Sequence, residues 1–274
     1  MIDEALLHLP GIGPQREAKL RDAGFDTWQD ILGCEDPRHI PFRAARWREV
    51  QAAVRRCQQA LDNHDLHYLT GVLHKRDQWR LLGHYFDSAS FFDLETTGLD
   101  CFAEVTVAIC WHRGQLHTFV KDENLDEFLD LLDDVTLMVS FNGSTFDVPK
   151  ITRHFNIPEF PCPHIDLRWL CHHQGLRGGL KKVEKSLCVE RPADLEGVDG
   201  AEAVRLWHIW EQRGERNARE WLERYCAADV LALRAISACV LERHLDAPFP
   251  QDMSSIWQQL GDRPPEKPKT GKPR

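Results

Sequence analysis

The sequence predicts an α/β fold: a mixed sheet of three antiparallel strands and then parallel strands with helices, preceded by a small all-α domain. Three patterns carry that expectation. Residues 90–120 hold three apolar runs broken by turn residues, residues 124–167 alternate helical with strand-like spacing, and residues 1–61 show helical spacing throughout. We divide the 274 residues into an N-terminal domain at 1–62, a connector at 63–87, a main domain at 88–247 and a tail at 261–274. The tail is rich in Pro and Lys and is expected to be disordered.

Taken in order, residues 6–32 read L-L-H-L-P-G-I-G-P-Q-R-E-A-K-L-R-D-A-G-F-D-T-W-Q-D-I-L. Pro10 to Pro14 form a tight hairpin, with a short helix before it and a second helix after it that Gly24 ends. This unit resembles a helix-hairpin-helix motif. Glycines let backbone N–H groups approach a phosphate at the positive end of a helix, so Gly11, Ile12 and Gly13 are candidate DNA-backbone contacts, with Arg16 and Lys19 adding charge. The competing reading is a helical hairpin used for protein contact or packing. The helix expected over Phe42–Leu61 carries Trp47, Val50, Val54, Cys57 and Leu61 on one face and closes this domain. Residues 62–88 read as a polar connector, and the scattered His64, His67, His74 and His84 as solvated residues rather than a ligand set.

The string S-F-F-D-L-E-T-T-G-L-D at 90–100 places Asp93 and Glu95 near the end of a strand, on the same side, one pleat apart. Two carboxylates so close repel, and a hard divalent cation such as magnesium or manganese relieves that repulsion. A solvent-facing strand end with two acids is the competing reading of the pair alone. Strands follow at Val105–Trp111 and Leu116–Val120, joined by His112, Arg113 and Gly114 in a hairpin. Next come an amphipathic helix at Asn124–Leu132 with Leu125, Phe128, Leu129 and Leu132 inward, and an apolar strand at Leu137–Phe141. A helix at Asp147–Phe155, a strand at His164–Leu167 and helices at Leu180–Leu187, Ala201–Gln212 and Ala218–Arg243 complete the pattern. That element order is the order of a ribonuclease-H-like fold.

Two further strings complete a constellation. L-M-V-S-F-N-G-S-T-F-D-V-P-K-I at 137–151 puts Asp147 where a buried strand gives way to a helix, and E-R-Y-C-A-A-D-V-L-A-L-R at 223–234 puts Tyr225 and Asp229 on one helical face. D-L-E-T-T-G-L, F-N-G-S-T-F-D-V-P and Y-C-A-A-D resemble, in order, the three exonuclease motifs of the DEDD superfamily, with Tyr225 marking the tyrosine subgroup and Arg224 standing where the histidine subgroup has its His. With the N-terminal hairpin the arrangement is most similar to the YprB-like ribonuclease-H-like family. The resemblance implies a 3′-to-5′ exonuclease that hydrolyses phosphodiester bonds with two Mg²⁺ (or Mn²⁺) ions, about 3.5–4 Å apart, held by Asp93, Glu95, Asp147 and Asp229. It implies that Tyr225 orients the attacking water, and that Thr96, Thr97, Asn142 and Phe146 contact the terminal nucleotide. Asn142 reads equally as a turn cap and Phe146 as core. Asp166 reads as a structural or substrate-positioning acid.

Composition bounds these readings. The N-terminus carries acids where a secretory signal carries bases, and no apolar run reaches the length of a membrane span, so we expect a cytoplasmic protein with no membrane partner. Nine cysteines without a C-x-x-C pair argue against a disulfide framework. Cys162, His164, Cys171, His172 and His173 lie close in sequence, but their spacing matches no established zinc pattern. The formal charge is -9; residues 1–60 are balanced and residues 261–274 carry +3, which leaves -12 on the middle of the chain. An acidic body with neutral and basic ends fits an enzyme that recruits cations centrally and meets phosphates elsewhere. The partner expected is nucleic acid, DNA in preference to RNA. An exoribonuclease or RNA-trimming enzyme is the alternative within the class, and a non-catalytic nucleic-acid-binding scaffold the alternative outside it.

Overall fold

The computed structural model describes residues 1–35, 40, 42–100, 102–248, 255–261 and 264–266. It divides into two units, one of residues 1–87 with 163–165, the other of residues 88–162 with 166–274. Most of the expected tail, 262–263 and 267–274, lies outside the described residues, as does Cys101.

The first unit is helical: α1 (Pro14–Asp22), α2 (Trp28–Gly33), α3 (Ala44–Asp62), α4 (Leu66–Val72) and α5 (Gln78–Tyr85). The short helix expected before the hairpin is reduced to one 3-10 turn at Ile2–Glu4 followed by isolated turns. Pro10 explains this, because it biases Leu9 away from helical backbone and leaves too few residues for a stable turn. Gly13 in extended backbone precedes Pro14, the first residue of α1. Gly24, at φ +83, lets Phe25 N donate to Leu20 O at 2.9 Å and so stops the helix where the sequence places the stop. Thr27 and Asp30 form a capping box that starts α2. On α3 the buried stripe is Trp47, Val50, Ala53, Val54, Cys57 and Ala60; Leu61 is only half-buried, since a 3.6-residue repeat moves the seam to Ala60. Residues 63–87, expected as a polar connector, form α4 and α5 and bury Leu66, Leu69, Leu81 and Leu82.

The strands β1 (Ala89–Thr96), β2 (Val105–His112), β3 (Gln115–Val120), β4 (Leu137–Ser140) and β5 (His164–Asp166) form one sheet in the order β3-β2-β1-β4-β5, the first four of them in the second unit. β1 is antiparallel to β2, with Asp93 opposite Ile109 and Glu95 opposite Val107, and parallel to β4. The ladder slips between Glu95 and Thr96, a bulge at the end of the acidic strand. Arg113 and Gly114, at φ +47 and +86, make the two-residue turn between β2 and β3.

Helices α6 (Glu127–Asp133), α7 (Asp147–His154), α8 (Leu167–His173), α9 (Leu180–Ser186), α10 (Gly200–Arg213) and α11 (Arg216–Leu245) complete the unit. α6 begins three residues later than the sequence predicts, because Asn124 serves the strand instead: its Oδ1 accepts from Val120 N at 2.8 Å and its Nδ2 donates to Thr118 O at 3.1 Å. Strand alternation then sorts β1 by face. Phe92 and Leu94 join Phe119, Phe128, Leu132, Met138 and Ile151 in a hydrophobic core, while the odd-numbered residues face the other way. The 30-residue α11 runs along β1 and β2 and is buried for most of its length. Among the described residues no helix is long and apolar enough to cross a membrane.

Candidate active site at the end of β1

Three elements end or cross where β1 stops. β1 supplies Asp93 and Glu95, the first turn of α7 supplies Asp147, and α11 supplies Tyr225 and Asp229 one helical turn apart. Together with Thr96, Leu99, Phe141, Asn142, Phe146, Gly200 and Val204 they line a pocket of about 180 Å³. Side chains from strings far apart in sequence thus line one pocket. Of the proposed nucleotide contacts, Thr96, Asn142 and Phe146 line this pocket, whereas Thr97 pairs with Glu104: Thr97 N donates to Glu104 O and Thr97 Oγ1 accepts from Glu104 N, both at 3.0 Å.

Burial and mutual repulsion shape the electrostatics. Burial, with Asp229, Asp147 and Glu95 around it, raises the Asp93 carboxyl well above the ordinary carboxylate range, and Glu95 rises through burial, Asp229 and Asp147. Asp147 is lifted to about 7, first by burial and then by Asp166 and Asp229. Crowded acids of this kind have a charge deficit that a hard divalent cation fits. Cys226 lies on the same helix, its Sγ 3.7 Å from Asp93 Oδ2, and among the described residues Asp93, Glu95 and Cys226 are the group of potential ligand atoms within 4.8 Å of one another. The Cys162, His164, Cys171, His172 and His173 set does not come together in that way. Burial, then Asp229, Glu95 and Asp93, push the Tyr225 phenol upward from its usual value, so it stays protonated. Lys181 Nζ donates to Tyr225 Oη at 3.1 Å, which leaves the phenolic proton free to be donated elsewhere.

The turn between β4 and α7 is held from below. Asp166 accepts from Asn142 N at 2.8 Å, Ser144 N at 3.1 Å and Arg168 N at 3.1 Å, a structural role for the leftover acid. Asn142, at φ +67, adopts left-handed backbone there, and its Oδ1 accepts from Thr145 Oγ1 at 2.9 Å and from Arg168. Sequence reasoning missed Lys181, Glu184 and Arg191. Arg191 pairs with Asp229 and with Glu184, a tertiary arrangement with no local signal beyond an Arg in a Pro-containing loop.

In the first unit, Gly11 has φ +74, Gly13 precedes α1, and Ile12 is buried. Arg16 Nη1 donates to Gly11 O at 2.6 Å, and its guanidinium lies 5.4 Å from the centre of the Phe42 ring. Lys19 is exposed.

A family model of the RNase_H superfamily matches residues 90–240, more than half of the chain and the whole span from β1 almost to the end of α11. The chain belongs to the RNase_H superfamily. Superfamily members are mostly nucleases. Among solved structures, the RNase_H chain is similar to the family B DNA polymerase from the hyperthermophilic archaeon Pyrobaculum calidifontis, with a TM-score of 0.43 and 15% identity. That similarity covers 64% of this chain and 27% of the polymerase chain. No curated protein matches the sequence.

Proposed function

We propose that this RNase_H superfamily chain is a divalent-metal-dependent 3′-to-5′ exonuclease of the DEDD tyrosine subgroup, acting on single-stranded or frayed DNA ends. The observation that carries the reading is the convergence of Asp93, Glu95, Asp147, Tyr225 and Asp229, from three separate strings, on one pocket. A scaffold that only bound nucleic acid would have no use for four crowded carboxylates that repel both one another and a polyanion.

Asp93, Glu95, Asp147 and Asp229 would hold the metal, with Asp93 central among them. Two bound Mg²⁺ or Mn²⁺ ions would supply activation of the attacking water and stabilisation of the leaving oxygen. The chain's own residues do the rest. Tyr225 keeps its proton and accepts from Lys181, so its O–H can fix a water by donation rather than remove a proton from it. Phe146 offers a ring to the terminal base, and Asn142, pinned by Asp166, offers a rigid edge beside it. In the first unit, the N-terminus of α1 with Gly11 to Gly13 and the exposed Lys19 would contact the DNA backbone without reading sequence.

The experiment is an assay on 3′- and 5′-labelled single-stranded DNA and RNA, with magnesium, with manganese and with EDTA. Metal-dependent release of mononucleotides from DNA 3′ ends is expected. Preferential digestion of RNA would move the reading to an exoribonuclease, and no release from either polymer would remove it.

A further inference from the structure

Arg191 belongs to none of the three strings, yet its guanidinium reaches two buried carboxylates. Its Nε donates to Glu184 Oε2 at 2.6 Å and its Nη2 to Glu184 Oε1, a two-pronged fork that an ammonium cannot reproduce. The same Nη2 pairs with Asp229 Oδ1. The exposures of the three side chains are 9% for Arg191, 5% for Glu184 and 10% for Asp229, so the chain of charges is largely buried, with Asp229 at the edge of the pocket.

The balance of charge and geometry decides what this chain of charges does. Glu184 already neutralises Arg191, so the pair adds no net charge to the acid cluster and is not a stand-in for a cation. Because Glu184 grips it at two atoms, the guanidinium has a fixed position, and its hold on Asp229 is a hold on orientation. The contact is through Oδ1, and a carboxylate has a second oxygen to offer a metal. Nη1 is buried with no acceptor among the described residues, a cost that packing alone gives no reason to bear. Outer partners of a metal-binding ligand orient it, and their loss typically costs about 10- to 100-fold in metal affinity; here the partner is an ion pair on Asp229 Oδ1.

We propose that the Glu184–Arg191 pair is a positioning device for Asp229 that sets the affinity of the site for divalent metal. This rests on the metal-binding reading above. Arg191 touches neither substrate nor metal; it acts through Asp229.

The test is Mn²⁺ binding to the full chain without nucleic acid, followed by the electron paramagnetic resonance signal of free Mn²⁺. Wild type, Arg191→Met, Arg191→Lys, Glu184→Gln and Asp93→Asn are compared, and melting of each in EDTA is recorded by circular dichroism. Arg191→Met should raise the Mn²⁺ Kd about 10- to 100-fold. Arg191→Lys should recover part of the loss, since it keeps the charge but not the fork, and Glu184→Gln should weaken binding by a smaller factor. A lowered melting temperature with an unchanged Kd in these variants would make Arg191 a packing residue and overturn the proposal. A tightened Kd would also overturn it, by making Arg191 a competitor for the site. Should Arg191→Met fail to fold, the Lys and Gln variants are read by the same criterion. If wild type and Asp93→Asn bind Mn²⁺ equally, the metal-site reading itself falls, a result distinct from a failure of Arg191 alone.

Discussion

Gly143 lies against Ser140 so closely that a β-carbon on it would stand 1.9 Å from the Ser140 hydroxyl oxygen and 2.8 Å from the Ser140 β-carbon. It would also come within 3.2 Å of Asp147 Oδ2. The turn that carries Asp147 into the pocket therefore has room for glycine only. Gly143→Ala should destabilise the protein by about 1–3 kcal/mol through overpacking and displace Asp147, reducing activity more than that stability loss explains. Adding Ser140→Gly should recover part of the activity, because it removes the two closest atoms. Thermal melts and turnover of the single and double variants check this. Wild-type turnover for Gly143→Ala would mean the turn can shift without moving Asp147.

Asp93→Asn and Asp229→Asn should each abolish hydrolysis while the fold persists, since each removes a proposed metal ligand from the acidic cluster. Asp93→Asn should in addition raise the melting temperature of the metal-free protein at pH 8, because burial and three neighbouring acids oppose its charge. Activity within a few-fold of wild type for both variants at saturating magnesium would refute their assignment as ligands.

The same crowding predicts a pH dependence of stability. Burial with Asp166 and Asp229 lifts Asp147 to about 7, and Asp93 and Glu95 are raised as well. An unfolded Asp has a pKa of about 3.9, so between that pH and about 7 the folded chain holds more protons than the unfolded one. Stability therefore falls as pH rises through that window. In EDTA the melting temperature should be higher at pH 5 than at pH 8, and added magnesium should raise it more at pH 8, where the carboxylates are free to bind. A metal-free melting temperature that climbs between pH 5 and pH 8 would contradict the crowding.

Tyr225→Phe should lower turnover by about 10- to 1,000-fold without changing Mn²⁺ affinity, since an orienting hydroxyl contributes less than a ligand. Because Tyr225 is pushed upward and stays protonated, the variant should keep the shape of the wild-type pH–rate profile. Loss of an alkaline limb in the variant would show that Tyr225 titrates in the working range.

The acids were legible because each sits in a short contiguous string whose element declares itself locally: an apolar strand ending in Thr-Thr-Gly, a strand-to-helix switch, a helix with an i, i+4 pair. Glu184 and Arg191 were not. They lie on α9 and on the irregular segment after it, and no periodicity relates either to Asp229 on α11. Gly143 stands inside a recognised string, but only the approach of Ser140 says why it must be glycine. Helices α4 and α5 escaped because they are seven and eight residues long, about two turns each, too short for a repeat to stand out. What marks α4 is a cap, Asp65 accepting from Tyr68 N at 3.0 Å.

Charge makes the first unit the place where long DNA should be held. With -11 on residues 88–260, the unit that carries the candidate site repels a polyanion, so on the proposed reading affinity for long DNA comes from local contacts elsewhere. The N-terminus of α1 offers backbone donors, with Arg16 and the exposed Lys19 one to two turns further on. Truncation after residue 62 is a poor test, because α4 and α5 belong to the same unit and the cut would strip partners from buried Leu66 and Leu69. Two charge-removing substitutions, Arg16→Gln and Lys19→Gln, keep the whole chain; Arg16 donates to Gly11 O, so each variant's melting temperature is recorded as a control on folding. A phosphate that no cationic side chain neutralises keeps its counterions, so the double variant should flatten the log–log salt dependence of binding by about two units. Binding is measured in the Asp93→Asn background, on a long duplex with a 3′ overhang, across a salt series. Hydrolysis of very short oligonucleotides by the double variant with Asp93 intact should change little, because on the proposed reading such substrates need only the pocket. Equal affinities and equal slopes would mean that residues 6–32 contact something other than DNA, and the protein-contact reading of the hairpin would replace it.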